Sequence, residues 1–305
     1  MFDDGGGVVS VVTIPDSLKE EYPFEPKRLK LSCGFEMSYV DEGEGFPVLM
    51  VHGNPTWSFY YRNVIKKLSP KFRCIAVDHI GCGLSDKPGS KYSYRIKQRI
   101  QDLGELIDHL ALERFDIVVH DWGGVIGLGA ALQRFEKLRR VTILNTAAFV
   151  DSRIPARISL CRNPLFGKFL VQGLNGFAGP AAWMSVKKKP LSKTVKEGML
   201  LPYRTWGNRR AVYEFVKDIP MHVSHRSFND LLEVENKLLK LRERDVTILW
   251  GGKDFCFNLH FYERWRRFLP ESTAFRYLEA GHYVLEDETE SCCEAIYQMA
   301  DYDED

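Results

Sequence analysis

The sequence lacks the features that mark membrane-spanning, secreted and nucleic-acid-binding proteins. No run approaches the roughly 18 apolar residues that a membrane-spanning helix needs. The first residues, Met1 to Gly7, contain neither a basic region nor a long apolar stretch, so we do not expect a secretory signal. A net charge of +1 gives no general attraction to nucleic acid or to an anionic membrane, so any such partner must be inferred from local features. What remains is an apolar content of 45%, which is typical of a globular enzyme.

Cysteine is sparse and irregularly spaced. The seven cysteines, an odd number, form neither a disulfide framework nor the spaced pairs of a metal site. We interpret the neighbouring Cys292 and Cys293 as partly buried thiols on a terminal helix, and a redox-active pair is the alternative. This pattern favours a reducing compartment, and we therefore expect a cytoplasmic protein.

Eight short apolar segments predict β-strands, and most of them alternate with helical patterns. The predicted strands cover residues 28–33, 36–41, 47–52, 72–78, 115–119, 140–144, 246–250 and 275–278, with a tight turn at Gly34. The alternation indicates an α/β protein with a mostly parallel sheet that is covered on both faces.

The alternation stops in a segment rich in proline, glycine and aromatic residues. We expect a helical cap over residues 150–235, inserted into a core of residues 22–149 and 236–300 that follows a leader of residues 1–21. The basic residues Lys187 to Lys189 and Lys193 are expected to form a solvated face, and contact with an acidic partner or a membrane surface is the alternative. Two or three of seven cap aromatics are expected to contact a ligand, and the others to form the cap's own core. These aromatics are Phe166, Phe169, Phe177, Trp183, Tyr203, Trp206 and Phe215.

The pentapeptide Val119-His120-Asp121-Trp122-Gly123 lies between an apolar strand and a glycine-rich helix predicted over residues 123–135. Hydrolases of the α/β class place their nucleophile at such a corner, usually as Gly-x-Ser-x-Gly, because the tight turn requires small neighbours. The helix N-terminus also favours a negative charge there. Here Asp121 occupies the nucleophile position, Gly123 keeps the second small residue, and Val119 replaces the first glycine. A purely structural Asp121 that caps the helix is the alternative interpretation.

A carboxylate nucleophile that forms a covalent ester requires a base, and the base requires an orienting acceptor. Asp254 follows the predicted strand 246–250, and His282 lies in the loop after the last strand. Nucleophile, acid and histidine then occur in the chain order of α/β-hydrolases. We therefore predict His282 as the base and Asp254 as its acid, with Asp151 as the second candidate for the acid.

Two further residues are expected to stabilise negative charge. The backbone N–H groups of Asn54 and Trp122 occupy the positions that form the oxyanion hole of this class. The carboxamide of Asn54 and the indole N–H of Trp122 are additional donors, which favours a reaction that expels halide or carboxylate from carbon. Structural roles are the alternative: Trp122 would only pack, and Asn54 would only cap the helix that follows.

Four motifs together resemble the haloalkane dehalogenase superfamily. They are HGNPTW at 52–57, DHIGCGLS at 78–85, HDWGG at 120–124 and GHYVLED at 281–287, and the resemblance covers about residues 22–300. Within this superfamily the chain is most similar to the β-lactone decarboxylases of bacterial long-chain olefin biosynthesis. The segments that carry this closer resemblance are KDFCF at 253–257, PYRTWGNR at 202–209 and KDIP at 217–220.

The resemblance implies an α/β-hydrolase fold and a hydrophobic substrate, a cis-3-alkyl-4-alkyloxetan-2-one, that is converted to a cis-alkene and CO2 without a metal or an organic cofactor. It implies Asp121 as the nucleophile, Asp254 and His282 as its partners, and Asn54 and Trp122 as holders of the anion. Attack at the C–O carbon and attack at the carbonyl both remain open, and His282 is expected to transfer a proton. The resemblance also implies a multienzyme assembly with other enzymes of the olefin pathway.

Three other functions remain open. A haloalkane dehalogenase would use Asp121 to displace halide and His282 to activate the water that cleaves the ester. An epoxide hydrolase would need two cap tyrosines, for which Tyr203 and Tyr213 are available. A non-catalytic ligand receptor is the third possibility, and the complete set of Asp121, Asp254 and His282 argues against it.

Overall fold

The computed structural model describes residues 12–301, so residues 1–11 of the predicted leader lie outside the described residues. The described chain contains eight strands: β1 (Lys27–Lys30), β2 (Glu36–Glu42), β3 (Pro47–Val51), β4 (Arg73–Asp78), β5 (Phe115–Asp121), β6 (Leu138–Thr146), β7 (Asp245–Gly251) and β8 (Thr273–Tyr277). They form one sheet in the order β1-β2-β4-β3-β5-β6-β7-β8. The pairs β1–β2 and β2–β4 are antiparallel, and the other pairs are parallel. The predicted mostly parallel sheet of an α/β-hydrolase fold is confirmed.

Eleven α-helices lie within the described residues. They are α1 (Arg62–Leu68), α2 (Ile96–His109), α3 (Gly123–Leu132), α4 (Ala156–Cys161), α5 (Ala178–Met184), α6 (Lys193–Leu200), α7 (Arg210–Lys217), α8 (Phe228–Lys237), α9 (Leu259–Phe268), α10 (Val284–Asp287) and α11 (Thr289–Asp301). Every helix between residues 12 and 301 is too short or too polar to span a bilayer.

Different helices cover the two faces of the sheet. On β3, Leu49 and Val51 belong to the apolar cluster that includes residues of α2, α3, α8 and α9. Val48 and Met50 belong to the cluster that includes residues of α1 and α11. This alternation follows from the two-residue period of a strand. Because both faces are buried, β3 is a continuous apolar run, as expected for a parallel sheet.

The chain leaves the sheet between β6 and β7 and forms α4 to α8, with a π-helix at Phe169–Gly173. A separate apolar cluster that includes Ile158, Val171, Val212 and Val216 holds several of these short helices together. The boundary of the cap at residues 150–235 stays a prediction.

The first described residues pack against the core. Leu18 and Tyr22 are buried, and the Tyr22 hydroxyl lies 2.6 Å from Ser58 Oγ.

The corner between β5 and α3 is too close-packed for side chains at its glycines. A Cβ atom added to Gly123 would collide with the carbonyl oxygen of Val51, and one added to Gly124 would collide with Thr146 Oγ1. Because the first obstacle is backbone of the neighbouring strand, it cannot rotate away. The small residues therefore bring Asp121 close to the end of β3.

Gly123→Ala is expected to lower the free energy of unfolding by about 3 kcal/mol, because β3 or α3 must shift to admit the methyl group. The measurement is urea denaturation followed by circular dichroism. Gly179→Ala is the matched control, since the nearest atom to its added Cβ is 3.5 Å away in the side chain of Asn175. This helical change should raise stability by about 1 kcal/mol. Equal denaturation midpoints for the two variants would contradict the packing argument.

Candidate active site

Asp121 is the last residue of β5, two residues beyond the predicted end of that strand. Its φ angle is +52°, a left-handed conformation that residues other than glycine adopt rarely and that often marks functional turns. The Thr146 hydroxyl donates to the Asp121 carbonyl oxygen, and the backbone N–H of Asn54 donates to Asp121 Oδ1 at 2.5 Å. These bonds fix the orientation of the carboxylate.

The structure brings the three predicted catalytic residues together. His282 Nε2 lies 3.7 Å from Asp121 Oδ2, and His282 Nδ1 lies 2.8 Å from Asp254 Oδ2. All three side chains are at most 7% exposed. The imidazole therefore stands between two buried carboxylates, with one nitrogen toward each.

The charges of these residues are strongly coupled. Burial raises the pKa of Asp121 to about 6, against the opposing effect of His282 and of the backbone N–H groups of Asn54 and Trp122. Burial disfavours the His282 imidazolium, but the carboxylates of Asp254 and Asp121 outweigh it and raise the pKa of His282 above its ordinary value. The arrangement therefore favours an ionised Asp121 beside a protonated His282.

The two predicted anion-stabilising residues both line the cavity in front of Asp121. The backbone N–H of Asn54 already binds Asp121, whereas its carboxamide Nδ2 donates to the carbonyl oxygen of Val212 at 3.2 Å. The ring of Trp122 packs against Phe215 with centroids 5.1 Å apart. Trp122 is thus positioned by the cap, and Asn54 positions the nucleophile through its backbone.

The cavity has a volume of about 490 Å³ and is lined mainly by apolar side chains. Asp121, Trp122 and His282 contribute to its wall, which also includes Phe149, Ile158, Val216, Phe255 and Phe257. Of the seven cap aromatics, Phe177 and Trp183 line the cavity. Tyr203 belongs to the apolar cluster of the cap, but Phe166 and Phe169 are exposed, so the prediction of a core position is wrong for these two. An apolar site with a few polar groups at one wall suits a hydrophobic molecule with one reactive polar group.

Sequence reasoning missed Asn145, at the end of β6. Its Nδ2 donates to Asp254 Oδ2 at 3.0 Å and to the Gly251 carbonyl at 3.1 Å, while its Oδ1 accepts from the Gly251 N–H at 2.8 Å. Asn145 thereby fixes the acid on the neighbouring strand. The available signal was a polar residue directly after the predicted strand 140–144.

Sequence reasoning also missed the role of His120. Its Nε2 lies 2.9 Å from the backbone carbonyl oxygen of His282, and its ring lies between those of Tyr60 and His282, with centroid distances of 4.5 and 4.6 Å. Burial lowers the pKa of His120 well below its ordinary value, so the ring is neutral. His120 therefore supports the loop that carries His282.

Asp151, the alternative candidate for the acid, and Tyr203, a tyrosine of the epoxide hydrolase alternative, bind other groups. Asp151 lines the cavity, but its Oδ2 lies 2.7 Å from His260 Nε2 and 3.2 Å from Arg264 Nη1. The Tyr203 hydroxyl donates to the carbonyl oxygen of Thr56, and neither Tyr203 nor Tyr213 lines the cavity. Asp254 is thus the acid that meets His282, and the tyrosine pair of an epoxide hydrolase does not face Asp121.

No group of three or more His, Cys, Asp or Glu side chains within residues 12–301 is arranged to hold a metal ion.

The chain is similar in sequence to a known fold family and to named enzymes. The family model for the alpha/beta hydrolase fold matches residues 47–289. A cis-3-alkyl-4-alkyloxetan-2-one decarboxylase of Shewanella oneidensis is 44% identical over 83% of this chain and 81% of its own length. The enzyme of the same name from Xanthomonas campestris is 37% identical over 90% of this chain and 95% of its own.

Haloalkane dehalogenases are more distant in sequence. Haloalkane dehalogenase 2 of Mycobacterium tuberculosis is 29% identical over 91% of this chain and 95% of its own. The crystal structure of a haloalkane dehalogenase from Bradyrhizobium elkani superimposes with a TM-score of 0.81 at 22% identity, over 90% of this chain and 96% of that one. This structural likeness shows the shared fold.

Proposed function

Because the chain belongs to the α/β-hydrolase fold family and, within it, to the family of the cis-3-alkyl-4-alkyloxetan-2-one decarboxylases, we propose that it converts such β-lactones to alkenes and CO2. The observation that carries the proposal is the buried row Asp121, His282 and Asp254 at the wall of an apolar cavity. This row supplies a carboxylate nucleophile and a fixed positive charge, and the apolar wall suits the two alkyl chains.

The first step is attack of Asp121 on the ring carbon that carries the ring oxygen. A bond forms from Asp121 Oδ2 to this carbon, and the carbon–oxygen bond of the strained ring breaks with its electron pair on the oxygen. The product is an alkyl ester of Asp121 that carries a free carboxylate on the adjacent carbon. We assign the stabilisation of that carboxylate to the indole N–H of Trp122, because this residue lines the cavity together with Asp121.

The second step is collapse of this ester without water. The bond to the carboxylate carbon breaks and releases CO2, its electron pair forms the double bond, and the Asp121 carboxylate leaves with the pair of the ester bond. No proton is gained or lost in either step. The protonated His282 stabilises the carboxylate as it departs, which replaces the proton transfer expected from the sequence. Inversion at the ring carbon followed by anti elimination converts a cis-substituted ring to a cis-alkene.

The test is turnover in H2¹⁸O followed by mass spectrometry of the products and of the peptide that contains Asp121. With a synthetic cis-dialkyl β-lactone we expect cis-alkene and CO2, and no ¹⁸O in Asp121, because water never attacks the ester. A haloalkane dehalogenase treated in parallel with a bromoalkane is the positive control, since hydrolysis of its ester introduces ¹⁸O into the nucleophilic aspartate.

Two results would count against the proposal. Bromide release from a bromoalkane without CO2 from the β-lactone would assign the site to hydrolytic dehalogenation. Decarboxylation with ¹⁸O in Asp121 would retain the function but require attack at the carbonyl or a hydrolytic step.

We also propose that the protein works in the cytoplasm beside other enzymes of olefin biosynthesis. Support for the compartment comes from the cysteines, all seven of which are free. Buried thiols such as Cys74 and Cys292 are consistent with a reducing environment. Support for neighbouring enzymes comes from the chemistry, because a strained lactone must be supplied by an enzyme that closes its ring.

A further inference from the structure

Exposed apolar side chains concentrate in the first part of the cap. We call this group the cap patch: Leu160, Leu165, Phe166, Phe169, Leu174 and Trp183. Each is at least 42% exposed, and Leu165 is 90% exposed. Six uncovered large apolar groups within residues 160–183, more than half of the exposed large apolar side chains of the described chain, are more than the single scattered groups of an ordinary surface.

The same segment carries a strong positive charge. Residues 151–200 contain nine lysines and arginines and two acidic residues, so their formal charge is +7 in a chain whose total is +1. Lys168 lies between Phe166 and Phe169 in sequence and is exposed, as are Lys189 and Lys193. Aromatic and leucine side chains interleaved with lysines are the composition of surfaces that bind at the bilayer interface.

The mouth of the catalytic cavity opens at this patch. Trp183 is 62% exposed and lines the cavity. Arg153 and Arg157 are also exposed and also line the cavity. The Arg157 guanidinium lies over the ring of Phe255 on the cavity wall, 4.5 Å from its centroid. A surface that binds the cap patch would therefore also cover the entrance.

We propose that the cap patch docks on an anionic lipid bilayer. Charge complementarity favours an anionic surface. Lysine is depleted in the interfaces of protein complexes, whereas it is enriched beside aromatic residues at membrane surfaces, which favours lipid over a protein partner. Docking places the cavity mouth against the lipid phase, where apolar molecules concentrate. This would serve any apolar substrate, so the proposal goes beyond the choice of reaction.

The experiment is co-sedimentation of the full chain with vesicles, without substrate. We expect binding to equimolar phosphatidylcholine and phosphatidylglycerol, and about tenfold or more weaker binding to phosphatidylcholine alone. Changing Lys168, Lys189 and Lys193 together to Gln should weaken binding to the anionic vesicles about tenfold or more. The double variant Leu165→Glu and Leu174→Glu should lower binding to the phosphatidylcholine level.

Matched controls change similar residues away from the cap. Leu239→Glu replaces a leucine that is 52% exposed beside β7, and Lys30→Gln with Lys97→Gln removes exposed charges from the core. These variants should bind anionic vesicles like the native chain.

If the native chain binds neither kind of vesicle, the proposal is overturned, and a protein becomes the better candidate for the partner of the cap patch. Binding that the cap variants do not change would overturn it too, because another surface would then hold the lipid. Since the assay needs no turnover, either result is independent of the reaction assigned to the site.

Discussion

Asp121→Asn is expected to lower the rate of β-lactone decarboxylation by about 10⁴-fold or more. The amide has nearly the same shape as the carboxylate but cannot form the covalent ester, and no other carboxylate reaches the same point. Asp254 is held at Nδ1 of His282 and by Asn145, on the far side of the imidazole. The measurement is single-turnover conversion of a cis-dialkyl β-lactone, with alkene quantified by gas chromatography.

The loss of activity should not come from unfolding. Because burial raises the pKa of Asp121 to about 6, its negative charge destabilises the fold once the pH rises above that value. Removing the charge at pH 8 should therefore increase the free energy of unfolding by about 3 kcal/mol. Asparagine also tolerates the left-handed φ of +52°. An inactive variant with a raised melting temperature is the expected pair of results.

Asp151→Asn is the comparison for this variant. Asp151 also lines the cavity, but it is bound by His260 and Arg264, so its change should cost less than about tenfold in rate. A result in which Asp121→Asn keeps more than a hundredth of the native rate would mean that no ester on Asp121 is needed.

The sheet could be predicted because its strands are short apolar runs in a regular alternation. The predicted ends were less accurate, and β5 shows why. Residues His120 and Asp121 are polar and buried, so apolar patterning ended the strand at Val119 although its ladder continues to Asp121. Buried polar residues at a strand end indicate a site, but a hydrophobic pattern cannot include them.

The positions of Asp121, Asp254 and His282 could be predicted because chain order and glycine neighbours restrict them to the carboxyl ends of strands. The contacts that orient these residues could not. Asn145 meets Asp254 only because β6 and β7 are adjacent in the sheet. The ring of His120 packs at 39° against the ring of His282, which is 162 positions away in sequence. The sequence around a residue does not show which distant residues will contact it in the fold.

The direction of the Asn54 side chain could not be predicted from the sequence either. The sequence places Asn54 correctly beside the nucleophile, but the acceptor of its carboxamide is the Val212 carbonyl in α7 of the cap. Where that helix lies depends on how the cap packs over the sheet. A motif therefore predicts which residues are near a site more reliably than which way their side chains face.

His282→Gln is expected to lower the rate of decarboxylation by about 10²- to 10³-fold, the usual cost of losing one preorganised charge at a transition state. The glutamine keeps a polar group near Asp121 but not the positive charge that lies 3.7 Å from Oδ2 in the native chain. The ester should therefore collapse slowly and accumulate on Asp121, because the departing carboxylate is no longer stabilised.

The pH dependence separates this role from a merely structural one. The native rate should rise as Asp121 ionises, near pH 6, and fall as His282 loses its proton, above the ordinary pKa of histidine because the carboxylates raise its pKa. His282→Gln should remove the alkaline fall. Asp254→Asn should keep the fall but move it to lower pH, because Asp254 raises the pKa of His282 more than Asp121 does. A rate that increases as His282 deprotonates would instead identify a general base, as hydrolysis of the ester requires.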